Sequence, residues 1–268
     1  MKFIAKKKDI NIQFWGGLIA ICLVGILTLF LFNKGFPTAE GWYSYYAKSI
    51  LNGDIVYTDF EYLFTPVYMY LITGIIKVFG YNLLVLRIFG VIIYCLLTLI
   101  IFLTLNKVFS VSASVIGAVT GVYYLQSEVY TVFYDYVRVM DIFAYLSAYF
   151  MLLTILDWQQ HKTRTFKVFF WGLFTSLFFL VKQNMGGLFF FFSILFILFS
   201  CFFFSWKIRQ FLLILIKYLM SFAIPVVLLG IVLWKANVLN SMIDSVFFGA
   251  MEAKGGIITI LFRWITNN

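Results

Sequence analysis

The sequence predicts an all-α fold: a polytopic transmembrane helical bundle of about seven spans, with juxtamembrane helices in the first external loop. Three observations predict it. Of 268 residues, 63% are hydrophobic and 12% charged, whereas a soluble domain is about half apolar and about a quarter charged. The apolar residues recur as separate long runs, too many to be one buried core. The charges lie mostly between those runs, and the acids gather on one of the two sides they define.

The first element is the basic start, Lys2, Lys6, Lys7 and Lys8, followed by the apolar run 14–32. That run exceeds a signal-peptide core and no small-residue cleavage site follows, so it reads as a first span with a cytoplasmic N-terminus. Further spans read as 83–105, 108–125, 141–156, 168–181, 188–204 and 211–234, and an apolar stretch, 257–265, follows them. The run 66–79 is short for a span. If it stays on one side of the membrane, the short cytoplasmic loops hold Lys107, then Lys162, Arg164 and Lys167, then Lys207 and Arg209, as the positive-inside rule requires. Of the 11 acids, only Asp9 and Asp157 are then cytoplasmic. The chain reads as one membrane domain, 1–268, multi-pass in the cell membrane, with membrane lipids as its surroundings.

Several function classes drop out. The net charge of +9 comes from scattered residues flanking apolar runs, so no nucleic-acid partner is expected. Cys22, Cys95 and Cys201 lie in apolar runs without a CxxC pair, which excludes a disulfide framework or zinc site. The single histidine, His161, sits in a basic cytoplasmic loop, and no Walker or dinucleotide motif is present. The Gly117–Gly121 spacing predicts close helix contact. The Phe-rich run 188–204 reads as a lipid-facing helix.

The loop 33–82 is the largest external feature. A short amphipathic helix is expected over 43–51, ending at Asn52-Gly53 as a C-cap. Four constellations carry possible chemistry. Glu40, next to a span and among aromatics, is a candidate general base or a solvated loop acid. In Asp135-Tyr136-Val137-Arg138-Val139-Met140-Asp141, Asp141 at a span entry is either a dipole-stabilised cap paired with Arg138 or a second carboxylate that holds an acceptor or a divalent metal. Lys182, followed by Gln183, Asn184 and Gly186-Gly187, is either a phosphate contact or a snorkelling lysine. The segment 250–256, with Glu252 and Lys254, is a weaker fourth candidate.

Together these residues resemble the membrane-embedded GT-C glycosyltransferases, the group that contains protein O-mannosyltransferases and the aminoarabinose lipid A transferase. The likeness rests on Glu40-Gly41-Trp42-Tyr43, Ala47, Gly53-Asp54, Tyr57-Thr58-Asp59-Phe60, Pro66, Phe79-Gly80, Arg87, Asp141 and the Lys182 turn. It covers most of the chain and is strongest over 37–87. The resemblance implies sugar transfer with inversion from a polyprenyl-phosphate sugar donor to a glycan, lipid or protein acceptor outside the membrane. It makes Glu40 the catalytic base, Asp141 its partner, and Lys182 and Arg87 the donor-phosphate contacts. Tyr43, Asp59, Glu61, Asp135 and Arg138 would line the acceptor loops. No cofactor is implied beyond a possible divalent metal ion. Ala39-Glu40 stands where the family often has two acids, and Thr65-Pro66 where it has two prolines. Family members are commonly longer, so the chain corresponds to their conserved N-terminal module. A lipid-linked-sugar transporter or an inactive module is the alternative.

Overall fold

A computed structural model describes residues 10–31, 37–126, 134–160, 162, 165–203 and 208–249. The segment 250–256 and the stretch 257–265 lie outside them. Helices follow the apolar runs, with several starts shifted by a few residues. In order they are α1 (Ile10–Leu31), α2 (Pro37–Leu51), α3 (Val67–Phe79), α4 (Leu83–Leu105), α5 (Val111–Gln126), α6 (Tyr136–Gln159), α7 (Thr165–Val181), α8 (Gln183–Phe203), α9 (Ile208–Lys235) and α10 (Leu239–Ile243), which runs into a π-helical turn, Asp244–Gly249. Among the described residues the only extended pairing is an isolated bridge between Val56 and Phe60. The fold is an all-α polytopic bundle. α1, α4, α6, α8 and α9 are long and apolar enough to cross a membrane, while α3, α5 and α7 are shorter apolar helices.

Contacts fix the helix directions. The Asn106 amide at the end of α4 donates to Gln13 Oε1 early in α1, at 3.2 Å, and Cys95 midway along α4 faces Gly25 of α1. These two helices are therefore antiparallel. Gln126 at the end of α5 donates to Thr28 of α1, so α5 runs with α1. Lys167 pairs with Asp157 at 2.7 Å and Thr175 meets Ser147 at 2.7 Å, which makes α6 and α7 antiparallel. The ring contacts Phe178–Phe189 at 5.8 Å and Phe190–Phe222 at 4.0 Å continue the alternation through α8 and α9.

This alternation answers the question posed by the run 66–79. Because α1 and α4 are antiparallel, the segment between them leaves and returns to the same end of the bundle. α3, with 13 residues, is about 20 Å long at 1.5 Å per residue and stays at that end. Thr65, just before it, donates to the carbonyl of Leu180 at the end of α7. Tyr68 in its first turn donates to the carbonyl of Tyr134, just ahead of α6.

Three helix starts differ from expectation by five residues or more. α2 begins at Pro37, six residues before the expected 43, because proline suits the first helical position. Its end falls as predicted: Gly53 has φ +106° and its N–H donates to the Ile50 carbonyl at 3.1 Å. α6 begins at Tyr136, capped by Asp135, whose side chain accepts from the Val137 N–H. The apolar run starts five residues later, and that offset misplaced the helix start at Asp141. α8 begins directly after Lys182, so the expected glycine turn lies inside a helix. Of the spaced glycines, a Cβ on Gly117 would meet Leu105 at 2.7 Å, but Gly121 faces open space. Only the first makes the close contact expected. α8 does expose Leu188, Phe191, Phe192, Phe199 and Phe203 as a lipid-facing helix would.

Two cores divide the bundle. One centres on Tyr68, Tyr94, Leu97, Phe102 and Tyr134 and joins the first half to the cap formed by α2 and α3. The other centres on Trp158, Trp171, Ile197 and Tyr218, in the second half.

Candidate functional site

The end of the bundle that carries α2 and α3 gathers nearly all the predicted site residues. Early placement of the α2 start puts Glu40 in the first helical turn and Tyr43 one turn on, both facing inward. Glu40 is only 1% exposed. Its two oxygens accept from Arg87, Nε to Oε1 at 3.2 Å and Nη2 to Oε2 at 2.8 Å. Arg87 stands one turn into α4, beyond the cap in which Asn82 Oδ1 accepts from the Leu84 N–H at 2.9 Å. Such a bidentate fork is among the stronger charge-assisted pairings and fixes geometry as well as charge. The Glu40 carbonyl also accepts from the Tyr134 hydroxyl at 2.9 Å.

Tyr43 reaches the other way. Its hydroxyl donates to Asp135 Oδ1 at 3.0 Å, and its ring meets Tyr68, Tyr134 and Tyr136 edge-on. Asp135 uses the same oxygen to cap α6. Burial pushes the Asp135 carboxyl above the usual aspartate range, against the lowering pull of the Val137 amide, the Tyr43 hydrogen bond and the charges of Arg138 and Lys182. Burial, reinforced by Asp135, likewise holds the Tyr43 phenol far above its ordinary value. The Lys182 ammonium lies 5.1 Å above the Tyr136 ring, a cation–π placement. Among the described residues it makes no ion pair. The buried Tyr62 hydroxyl has no hydrogen-bond partner among them either.

The break that presents Lys182 is a single residue long. A Cβ on Gly186 would lie 2.3 Å from Phe179 Cα and 2.4 Å from its nitrogen. Gly186 thus serves the closeness of the α7–α8 hairpin, not a phosphate cradle. Gln183 locks the turn in place, its Nε2 donating to the carbonyls of Leu63 and Val246, both at 3.2 Å.

The expected pairings are rearranged. Glu40 and Asp141 do not share a contact: Glu40 bonds Arg87, and Asp141 bonds Arg138 Nη1 at 2.9 Å. Asp141 sits in the second turn of α6, where Asp135 holds the capping place. Arg87 and Lys182, expected on one phosphate, stand on opposite sides of the Tyr43 ring system, one at Glu40 and one at Tyr136. Asp59 accepts from the Ile55 N–H at 2.7 Å and serves its own turn. Glu61 is exposed and joins neither group. No three His, Cys, Asp or Glu side chains gather as metal ligands among the described residues. Sequence reasoning passed over Tyr62, Tyr68 and Tyr134, and it read Gln183 with the Lys182 turn without its bonds to Leu63 and Val246. Only the density of tyrosines near 43–70 and 134–136 hinted at the first three, and interfacial anchoring explains that density equally well.

Beside Glu40 a small cleft of about 180 Å³ opens between α2 and α4, lined by Glu40, Gly41, Ser44, Tyr81, Asn82, Leu83 and Leu86. Comparison of the chain with protein-family models, with curated proteins and with solved structures finds no match.

Proposed function

We propose that this multi-pass membrane protein is a glycosyltransferase that moves a sugar from a polyprenyl-phosphate donor to an acceptor hydroxyl on the extracytoplasmic side. One observation carries the reading. Carboxylates and a cation from α2, the α6 cap and the α7–α8 break converge on one end of the bundle, and the Lys182 ammonium there has no acidic partner among the described residues. The opposite end carries Lys107, Lys162 and Lys167, which the positive-inside rule assigns to the cytoplasm. The start of α1 lies at that same end.

In this reading Glu40 accepts the proton of the acceptor hydroxyl as its oxygen bonds to the anomeric carbon. The carbon–oxygen bond to the lipid phosphate breaks, and its electron pair stays on the phosphate. Lys182 offsets that developing charge in a setting of low dielectric, where such an interaction is stronger than in water. Tyr43 and Asp135 tie α2 to the α6 cap and so hold Glu40 in place relative to Lys182. The leaving lipid phosphate removes any need for a nucleotide site, in keeping with the lack of nucleotide-binding motifs in the sequence.

The test is transfer of labelled sugar from a polyprenyl-phosphate donor by the full chain in proteoliposomes. Lys182→Met and Glu40→Gln should each lower transfer by about 10²-fold or more, the scale of losing one transition-state contact. Full transfer by both variants would refute the assignment. One observation favours a second reading, a transporter of lipid-linked sugars: Arg87 occupies both oxygens of Glu40, as suits a binding group. Movement of the labelled lipid across the bilayer without a new glycosidic bond would establish that reading instead.

A further inference from the structure

The cleft beside Glu40 has a composition that the transfer reaction itself does not require. Glu40, Ser44 and Lys48 recur every four residues along α2 and share one face. Glu40 closes the floor of the cleft, and its charge is matched by Arg87 at 2.8 Å. Lys48, exposed and outside the lining itself, holds its ammonium 5.3 Å above the ring of Tyr81, a lining residue. Neither an ion pair nor a hydrogen bond holds that ammonium among the described residues. The charges at the cleft therefore leave one cation uncompensated. The N-terminal end of α4, capped by Asn82, adds positive potential to the same space. Leu83 and Leu86 form the apolar wall, and Leu83 is 43% exposed at the start of a membrane-spanning helix.

We propose that this cleft binds the anionic headgroup of the acceptor, a small hydroxyl-bearing phosphate ester. Its phosphate meets Lys48 and the Asn82 end of α4, and its hydroxyl points down to Glu40. The inference rests on the transferase reading for the role of the ligand, but not for its binding. At about 180 Å³ the cleft is smaller than the roughly 300–1,000 Å³ of sites for drug-sized ligands. It admits a headgroup of glycerol-phosphate size, while any chain attached to it runs out along Leu83. Carboxylate Glu40 keeps lone pairs free beyond those Arg87 uses and has no donor to offer a phosphate, so the floor accepts a hydroxyl. That sets the polarity of the bound ligand: phosphate outward, hydroxyl inward.

The test needs no turnover. The full chain in phosphatidylcholine nanodiscs is treated with an amine-acylating reagent, and the labelling of Lys48 is read by mass spectrometry, with exposed Lys235 as internal reference. Glycerol phosphate at millimolar concentration should lower labelling of Lys48 at least threefold and leave Lys235 unchanged, while glycerol alone protects neither. Protection only in nanodiscs that contain phosphatidylglycerol would support the site with a lipid headgroup as its source. Leu83→Trp, which fills the cleft from a partly exposed position, should abolish protection in either arm. Equal protection of Lys235, protection that survives Leu83→Trp, or no protection from either phosphate source would overturn the proposal. Protection without sugar transfer would retain this site and remove the transferase reading.

Discussion

At the cytoplasm-assigned end of the bundle the polar contacts seen among the described residues join pairs of neighbouring helices. Asn106 bonds Gln13, and Lys167 pairs with Asp157 while reaching the Leu153 carbonyl at 3.4 Å. Lys107 also lies over a ring, Tyr149 at 5.9 Å, but it is exposed. At the other end the contacts run on from α2 to α4, to the α6 cap, to α3 and to the α7–α8 break. There Lys182 is half-buried beside a carboxylate. Seven helices supply both ends, so the contrast arises from the segments between them. Short connections can only close a pair of helices. The long segment between α1 and α4 has residues enough to build a polar, tyrosine-rich cap with groups left over for a ligand.

Removing one cation from each end breaks this comparison most directly. Arg87→Met and Lys167→Met each strand a buried carboxylate and should destabilise the fold by about 3–5 kcal/mol, read from thermal or denaturant unfolding in detergent. Protein that remains folded should still distinguish the ends: Arg87→Met loses the Lys48 protection described above, and Lys167→Met keeps it. A smaller effect, about 1–3 kcal/mol, is expected from Gly186→Ala, because its Cβ meets Phe179 backbone that cannot rotate away. Its signature is a lowered melting temperature together with altered reactivity of Lys182, which the hairpin positions.

The smallest effect sharpens the electrostatic side. The Asp135 carboxyl is raised in the folded state, so the folded protein binds that proton more readily than the unfolded chain. Stability from this group is thus greatest at low pH. It declines as pH climbs from the ordinary aspartate value of about 3.9 through the raised folded value. Asp135→Asn keeps an acceptor for Tyr43 and for the α6 cap but cannot ionise. Its melting temperature relative to the parent chain should rise across that pH window and then level off. A parallel pH profile for the two proteins would contradict the burial of this carboxylate.

Much of the fold was legible in the sequence because hydrocarbon length and apolar runs carry it. Each predicted span corresponds to a helix, and the short run 66–79 stays at one end as the loop charges require. What was not legible lay at the boundaries. Pro37 and Asp135 begin helices ahead of the apolar residues, since caps and first turns obey hydrogen-bond rules that a hydropathy run does not contain. The site was half legible. Glu40, Tyr43, Asp135 and Lys182 stand at one end as expected, but which acid meets which cation depends on helix rotation. The residue spacing offered the Arg138–Asp141 pair as one reading, but it did not reveal that Arg87 takes Glu40.

The central claim is that α3 turns back, so that Glu40 and Lys182 face one compartment and the α6–α7 connection faces the other. It is tested by single cysteines in a chain whose native cysteines are replaced, with Glu61→Cys, Asn184→Cys and Lys162→Cys probed by a membrane-impermeant maleimide on intact cells. The account predicts labelling of the first two from outside and of the third only after permeabilisation. Labelling of Glu61→Cys and Asn184→Cys from opposite sides of the membrane would contradict it.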